Sequence, residues 1–538
     1  MHRVMGPRCW SWSPRELGRL IGVVVSGARA SYVPVRIARD VIEDIRDEML
    51  VIIEDFVEDR RYLGTLRGSV KLDIAIDSSS LPSTFDPEKS LQFAAPMMKT
   101  FVEILGEIPP DGGIELSFAI PRPGSRVYLV ERGEPLSKIL RIPRGLNVGV
   151  HRFSGMRIEL DPRAIDYHIA VVGATGSGKS RLVKALIEEI LRNTSYSVIV
   201  FDHTGIDYAQ PERWRSLARE LGIEPYIVDG SKIILDPITV AELVIDRARI
   251  PRSLEDHVTY SVIRYVQDTA AMSGDLTASS AVSASTPYGR YGRRVNSIDA
   301  SVVEQQVEKY FELMKKGGGG VWSFDRFLSS MIKYLDELNA RDSTICKLSM
   351  LIALNLGRRF FNEYLDSRSV DVRDIVDDLL SKRRRLVIVD LSTEVEYIAK
   401  RYVVAQVLRW VWERVLSEKR RAEVVAVIDE AHNYACQRCE PSATEIEKTA
   451  REGRKWGIGL VLASQRIKDL SPDVRGNINT VFFSRLQTYS DYQELRGWIE
   501  GAQYLEMVLP MLGKREFFVC GLANPLRRPV LMRVRDVE

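Results

Sequence analysis

The stretch Gly173-Ala174-Thr175-Gly176-Ser177-Gly178-Lys179-Ser180, "GATGSGKS", decides the reading of this chain. The apolar run "YHIAVV" precedes it and the amphipathic "RLVKALIEEIL" follows it. A strand, a glycine-rich turn and a helix in that order make a grip for a polyphosphate. The glycines let the backbone curl, so that its N–H groups point at phosphate oxygens. Lys179 brings a positive charge to the β and γ phosphates. Ser180 offers a hydroxyl to Mg²⁺, and the helix that opens there, with Arg181 in its first turn, adds its positive end. The expected ligands are ATP and Mg²⁺.

A nucleotide grip that drives chemistry needs a second element to hold the metal and activate water. "EVVAVIDEAHNY" supplies one: an apolar strand that ends in Asp429-Glu430. Asp429 is expected to steer Mg²⁺, and Glu430 to orient or deprotonate the attacking water. The competing strand end at Asp390, in "RLVIVDLSTE", lacks the adjacent glutamate and ranks second. A third element is "GLVLASQR", where Gln465 ends a buried strand. It reads as a γ-phosphate sensor or as an ordinary strand end.

The chain of 538 residues is too long for one core, so two or three domains are expected. Residues 17–155 are rich in β-formers and turns: "GRLIGVVVSG", "VKLDIAI", "GIELSFAI" and "SRVYLVERG" predict strands of a small β-barrel. "VIEDIRDEMLVIIEDFVED" carries both helical and strand periodicity. The apolar start "LIGVVV" reads as a first strand rather than a leader. Residues 156–240 and 371–538 alternate strands and helices, as in a doubly covered parallel sheet. Residues 241–370 carry helical spacing and predict an inserted helical region, with a flexible loop near 273–297 and a second joint at Gly317–Gly320. The fold class is α/β, a P-loop NTPase core with an N-terminal barrel and a helical insertion. No apolar run spans a bilayer. Five cysteines argue against a disulfide scaffold and for a reducing, cytoplasmic setting. The net charge of +3 neither requires nor excludes nucleic acid.

"VVGATGSGKS", "VIDEAHNY" and "TAREGRKWGIGLVLASQRIKDLSPDVRGNINTVFFSRL" together resemble the HerA branch of the HerA/FtsK ATPases, ring-shaped hexameric DNA translocases found chiefly in archaea. "LIGVVVSG" and "PRPGSRVY" resemble the family's N-terminal barrel, itself similar to that of ATP synthase subunits. The resemblance implies a RecA-like core, a homohexamer, duplex DNA in its pore, and a NurA-type nuclease partner in DNA-end resection. It implies nucleotide and metal binding at Lys179 and Ser180, the metal and water pair at Asp429 and Glu430, and the sensor at Gln465. Arg451 or Arg454 falls where the family carries charge at the subunit junction. Either is an arginine finger for a neighbour's phosphate, or both belong to a solvated helix face.

Three features depart from the family pattern. "FDHTGIDY" has Thr204 and an extra residue where an Asp-x-His-Gly-Glu-Tyr-like run is usual, which weakens a role for Asp207. Ile467 follows "SQR" where proline is common. Cys436-x-x-Cys439 is half a zinc site, with His432 and Cys520 as unproven company, or a disulfide, or two thiols. Lys468, Arg475 and the run Lys382–Arg385 are candidate DNA contacts, although a charge run is more often a solvated face. A pump for another macromolecule, of the secretion or conjugation type, shares this core and is the rival expectation.

Overall fold

The computed structural model describes residues 10–73, 96–140, 142, 144–272, 310–311, 314, 322–356, 369–393, 397–486, 488–499, 501 and 504–537. The loop expected at 273–297 and the joint at Gly317–Gly320 lie outside them. Two compact units are formed, one by Met1–Ser195 with Gly459–Glu538, the other by Tyr196–Ile458.

The first unit opens with β1 (Leu20–Val24), β2 (Val33–Ile37), β3 (Leu50–Asp55), β4 (Arg60–Asp73), β5 (Pro96–Glu107) and β6 (Arg126–Leu129). They close into a barrel in the order β1-β2-β5-β4-β3-β6, each pair antiparallel. Closure removes the exposed edges of a small sheet. Ile21, Val33, Val35, Val51, Ile53, Leu66, Val102 and Val127 fill the interior. The stretch of double periodicity resolves into a short 3₁₀ turn, Arg39–Asp44, followed by β3. "GIELSFAI" is not a strand. It makes a single bridge, Glu115 to Glu107, after a turn in which Gly112 and Gly113 take φ of 93° and 82°, and it leaves Phe118 92% exposed. Its alternation faces solvent rather than a core.

β7 (Leu146–His151), β8 (Arg157–Leu160), β9 (Ile169–Val172) and α1 (Lys179–Asn193) follow. The chain then builds the second unit: β10 (Ser197–Asp202), β11 (Tyr226–Asp229), β12 (Ile233–Ile234), α2 (Pro237–Ala248), α3 (Glu255–Met272), α4 (Phe324–Glu337), α5 (Asp342–Asn355), β13 (Val370–Asp371), α6 (Val372–Leu380), β14 (Leu386–Asp390), α7 (Tyr397–Glu418), β15 (Val424–Ile428) and α8 (Ser442–Trp456). Its sheet runs β11-β14-β10-β15, all parallel, and β10 and β15 are buried along their whole length. Such runs lack polar alternation because helices cover both faces. Between β12 and β13 the described residues are mainly helical, as expected for the insertion.

β16 (Ile458–Ser464), β17 (Thr480–Phe483), α9 (Tyr489–Trp498), β18 (Glu516–Gly521) and β19 (Val530–Val534) complete the first unit. Its sheet has the order β16-β9-β17-β18-β19-β7-β8, parallel across β16-β9-β17 and antiparallel beyond.

An ionic cluster inside this unit joins barrel to sheet. Arg67 is 1% exposed; it pairs with Glu48 at 3.1 Å and with Glu103, and donates to the Pro529 carbonyl at 2.7 Å. Arg528 also reaches Glu103, at 3.5 Å. His151 on β7 bonds the Glu48 carbonyl at 2.9 Å. Burial raises the Glu48 carboxyl above its usual range, and the Arg67 charge opposes that rise. Arg67→Met should lower unfolding free energy by about 3–5 kcal/mol, because it strands buried carboxylates. Adding Glu48→Gln should recover part of the loss. Denaturant titrations of the single and double variants check both.

Candidate nucleotide-binding site

β9 carries the phosphate loop. All four of its residues are buried, and it lies in register between β16 and β17, with Val172 opposite Ser464 and Phe483. The Gly173 N–H donates to Ser464 O at 3.3 Å and the Ala174 N–H to Arg485 O at 2.7 Å. Gly176 and Gly178 take φ of 80° and 103°, a region that L side chains rarely adopt. At Gly178 a Cβ would also come within 3.1–3.3 Å of Arg515, a tight contact that adds to the left-handed backbone in favouring glycine. Lys179 is 9% exposed, and its ammonium donates to Gly173 O at 2.9 Å. Arg181 donates to Val537 O at 3.1 Å.

Gln465 follows β16 directly, beside the loop. Its Oε1 accepts from the Thr175 hydroxyl at 3.1 Å, so the expected sensor does touch the phosphate loop. Ser177 Oγ is buried without a hydrogen-bond partner. An unpaired buried hydroxyl, curled glycine backbone and a buried lysine suit an anionic phosphate chain.

The acidic candidates belong to the second unit. β15 delivers Asp429 at its end, 4% exposed, with its N–H on Phe201 O at 3.2 Å. Burial, then the charges of Glu430, Asp202 and Asp207, push the Asp429 carboxyl up to about 8. A buried carboxyl crowded by carboxylates suits a hard divalent cation such as Mg²⁺. Glu430 sits in the left-handed region, φ 46° and ψ 48°, which is strained for a residue other than glycine. Its Oε2 lies 3.2 Å from His432 Nδ1.

Sequence reasoning missed Asp202. It is fully buried at the end of β10 and accepts backbone N–H bonds from Thr204, Gly205, Tyr208 and Ala209 at 2.8–3.2 Å. It therefore shapes the "HTGIDY" loop, whose departure from the family pattern had drawn attention to Thr204 and Asp207 instead. His203 bonds the Tyr434 hydroxyl at 2.7 Å, and burial followed by the Lys400 charge pushes it down to about 4. The neutral ring thus ties this loop to the segment just after Glu430. A polar residue at the buried end of a strand was the available signal.

The other candidates separate. Asp390 accepts from its neighbour Ser392, through N–H at 2.9 Å and Oγ at 2.6 Å, so it caps a local turn. Arg451 and Arg454 lie on an exposed face of α8. In the run 382–385, Lys382 donates to Glu423 O at 2.8 Å, Arg383 and Arg384 pair with Asp378, and Arg385 donates to Tyr196 O. These contacts lie within the second unit, and the Arg383 and Arg384 side chains stay exposed. Lys468 reaches Ser490, and Arg475 pairs with Glu494 at 2.8 Å. Cys436 and Cys439 form a disulfide, while Cys520 is a buried thiol. No group of three or more His, Cys, Asp or Glu side chains placed to hold a metal ion occurs among the described residues.

A family model described as the central domain of the helicase HerA matches residues 146–411. The chain is 24% identical to the probable DNA double-strand break repair helicase HerA of Methanocaldococcus jannaschii, covering 79% of this chain and 84% of that one. It is 25% identical to the Pyrococcus furiosus DNA double-strand break repair helicase HerA, over 81% and 77%. The Sulfurisphaera tokodaii counterpart is 24% identical over 96% and 93%. Among solved structures, VirB4 of Thermoanaerobacter pseudethanolicus is 14% identical with a TM-score of 0.47, over 73% of this chain and 96% of that one. The plasmid coupling protein TrwB with ADP and Mg²⁺ has 14% identity and a TM-score of 0.44, over 76% and 93%.

Asp202→Asn should loosen the 203–209 loop, since an amide has one acceptor oxygen for four N–H groups. A loss of about 1–3 kcal/mol of unfolding free energy is expected, together with faster proteolytic cleavage within the loop. Parental stability and cleavage would refute this role.

Proposed function

Because this chain belongs to the HerA family of P-loop ATPases, we propose that it is a ring-forming, ATP-driven DNA translocase or helicase of double-strand break repair. What supports the reading is the family match over residues 146–411 together with the sequence pattern that places Lys179, Ser180, Gln465, Asp429 and Glu430 where a hydrolytic site needs them. The resemblance to named break-repair helicases supports the DNA substrate. No helix among the described residues is long and apolar enough to cross a membrane.

In this reading Lys179 and the loop N–H groups that follow Ala174, up to Ser180, hold the ATP phosphates. Ser180 and Asp429 hold Mg²⁺, which supplies charge neutralisation to the transferring phosphoryl group. Glu430 takes the proton of the attacking water, and Gln465, already bonded to Thr175, responds to the γ phosphate. The subunits form a homohexamer around duplex DNA. Arg451 or Arg454 completes a neighbouring subunit's site as its arginine finger. A NurA-like nuclease acts with the ring in end resection.

The primary test is ATP turnover with and without duplex DNA, on a sample of measured oligomeric state. Stimulation by DNA in a hexamer is expected; a monomer indifferent to DNA would sink the motor reading. Lys179→Ala should abolish turnover. Glu430→Gln should still bind ATP but not hydrolyse it, because an amide keeps the shape without accepting the proton. Joint loss of binding and turnover in Glu430→Gln would make Glu430 structural.

The ring requires a further result. Fingers of this kind are worth about 10³–10⁵ in rate. Arg451→Ala or Arg454→Ala should therefore assemble and bind ATP yet hydrolyse poorly. Rings mixed from that variant and Glu430→Gln should regain activity that neither has alone. If both single arginine variants turn over ATP like the parent, the finger assignment fails.

A further inference from the structure

Arg515 lies just before β18 and is outside every role assigned above. Its backbone is left-handed, φ 69°, in a residue with a full side chain. Its N–H donates to Ser177 O at 2.7 Å, and its Cα and N lie 3.3 Å from where a Cβ on Gly178 would stand. Its own carbonyl accepts from the Val534 N–H at 2.9 Å. The segment that follows β19 also contacts α1, at its first turn and again further along. Arg181 donates to Val537 O, Arg535 pairs with Glu188 at 2.5 Å and Glu189 at 3.4 Å on α1, and Asp536 pairs with the Arg515 guanidinium.

We propose that Arg515 is a positioning residue for the nucleotide, acting through its main chain to hold the Ser177 carbonyl outward and thereby hold the loop N–H groups inward.

A peptide plane has two ends. Fixing the Ser177 carbonyl on Arg515 fixes the Gly178 N–H on the opposite side, and that N–H is one of the phosphate-binding donors of the loop. The geometry needs residue 515 in the left-handed region, because φ near −60° swings its N–H away from Ser177. The side chain is secondary: its partner Asp536 is 90% exposed, and exposed pairs hold little. The inference rests on the nucleotide reading of the loop and extends it to a residue more than 330 positions downstream.

The test is a graded series at this one position in the full-length protein. Glycine and asparagine tolerate left-handed backbone, alanine resists it, and valine resists it most. Arg515→Gly and Arg515→Asn should keep the parental KM for ATP. Arg515→Ala should raise it, and Arg515→Val should raise it by about tenfold or more, with kcat little changed in each. Thermal unfolding of each variant is measured alongside, and the alanine variant carries the test if the valine variant does not fold. A KM that ignores this order, or Arg515→Gly as impaired as Arg515→Val, overturns the inference while leaving the site reading intact. A parent protein that binds no fluorescent ATP analogue overturns the site reading and this inference with it.

Discussion

Ile169 to Val172 is a four-residue strand with no exposed surface, gripped on both sides by parallel neighbours. Its pairing with β16 and β17 aims Gly173 and Ala174 at Ser464 O and Arg485 O, and so sets where the phosphate loop begins. Each later feature of the loop inherits that starting point: the left-handed glycines, the buried Lys179 folded onto Gly173 O, and the Thr175 contact to Gln465. A slip of one residue would turn each side chain of β9 to the opposite face. Parallel strands buried on both faces tolerate polar groups only at their ends, which is why Ser464, Gln465 and the loop cluster there.

The second unit meets the same restriction with acids. Asp202 and Asp429 stand at the ends of adjacent buried strands, β10 and β15, and neither can be left to water. Asp202 is satisfied inside the protein, by four backbone N–H groups that bend a loop around it. Asp429 meets the backbone N–H of Glu430. Its neighbours Glu430, Asp202 and Asp207 are all acidic, so its environment disfavours the charged form. The contrast separates a carboxylate used for architecture from one whose charge the protein leaves unbalanced.

The parts legible in the sequence were those with short-range chemistry. Gly173–Ser180, Asp429-Glu430 and Gln465 each announce themselves within a dozen residues, and the structure puts Gln465 on the phosphate loop. The barrel was legible as a class but not strand by strand. β4, "RRYLGTLRGSVKLD", breaks the apolar alternation because Arg67 points into an ionic cluster rather than to water. Residues 113–120 kept the alternation and yet form no strand, because nothing covers Leu116 or Phe118. Arg515 was invisible for a different reason: its significance lies in a backbone angle and a contact with Ser177, and neither leaves a mark on local composition.

The phosphate strand finds its partners late. β9 is made from residues 169–172, but both strands that flank it come from 458–483, so nearly 290 residues must leave the ribosome before β16 can pair with it. The intervening unit, Tyr196–Ile458, is continuous in the chain and can close as it emerges, since domains generally fold as units during synthesis. The first unit cannot. Its barrel can form early, while the strand bearing the nucleotide grip waits, apolar and unpaired, for residues 458–483. Vectorial synthesis therefore delays the shaping of the phosphate loop until residues 458–483 emerge, and a product truncated before them would retain the motif while lacking the sheet that shapes it.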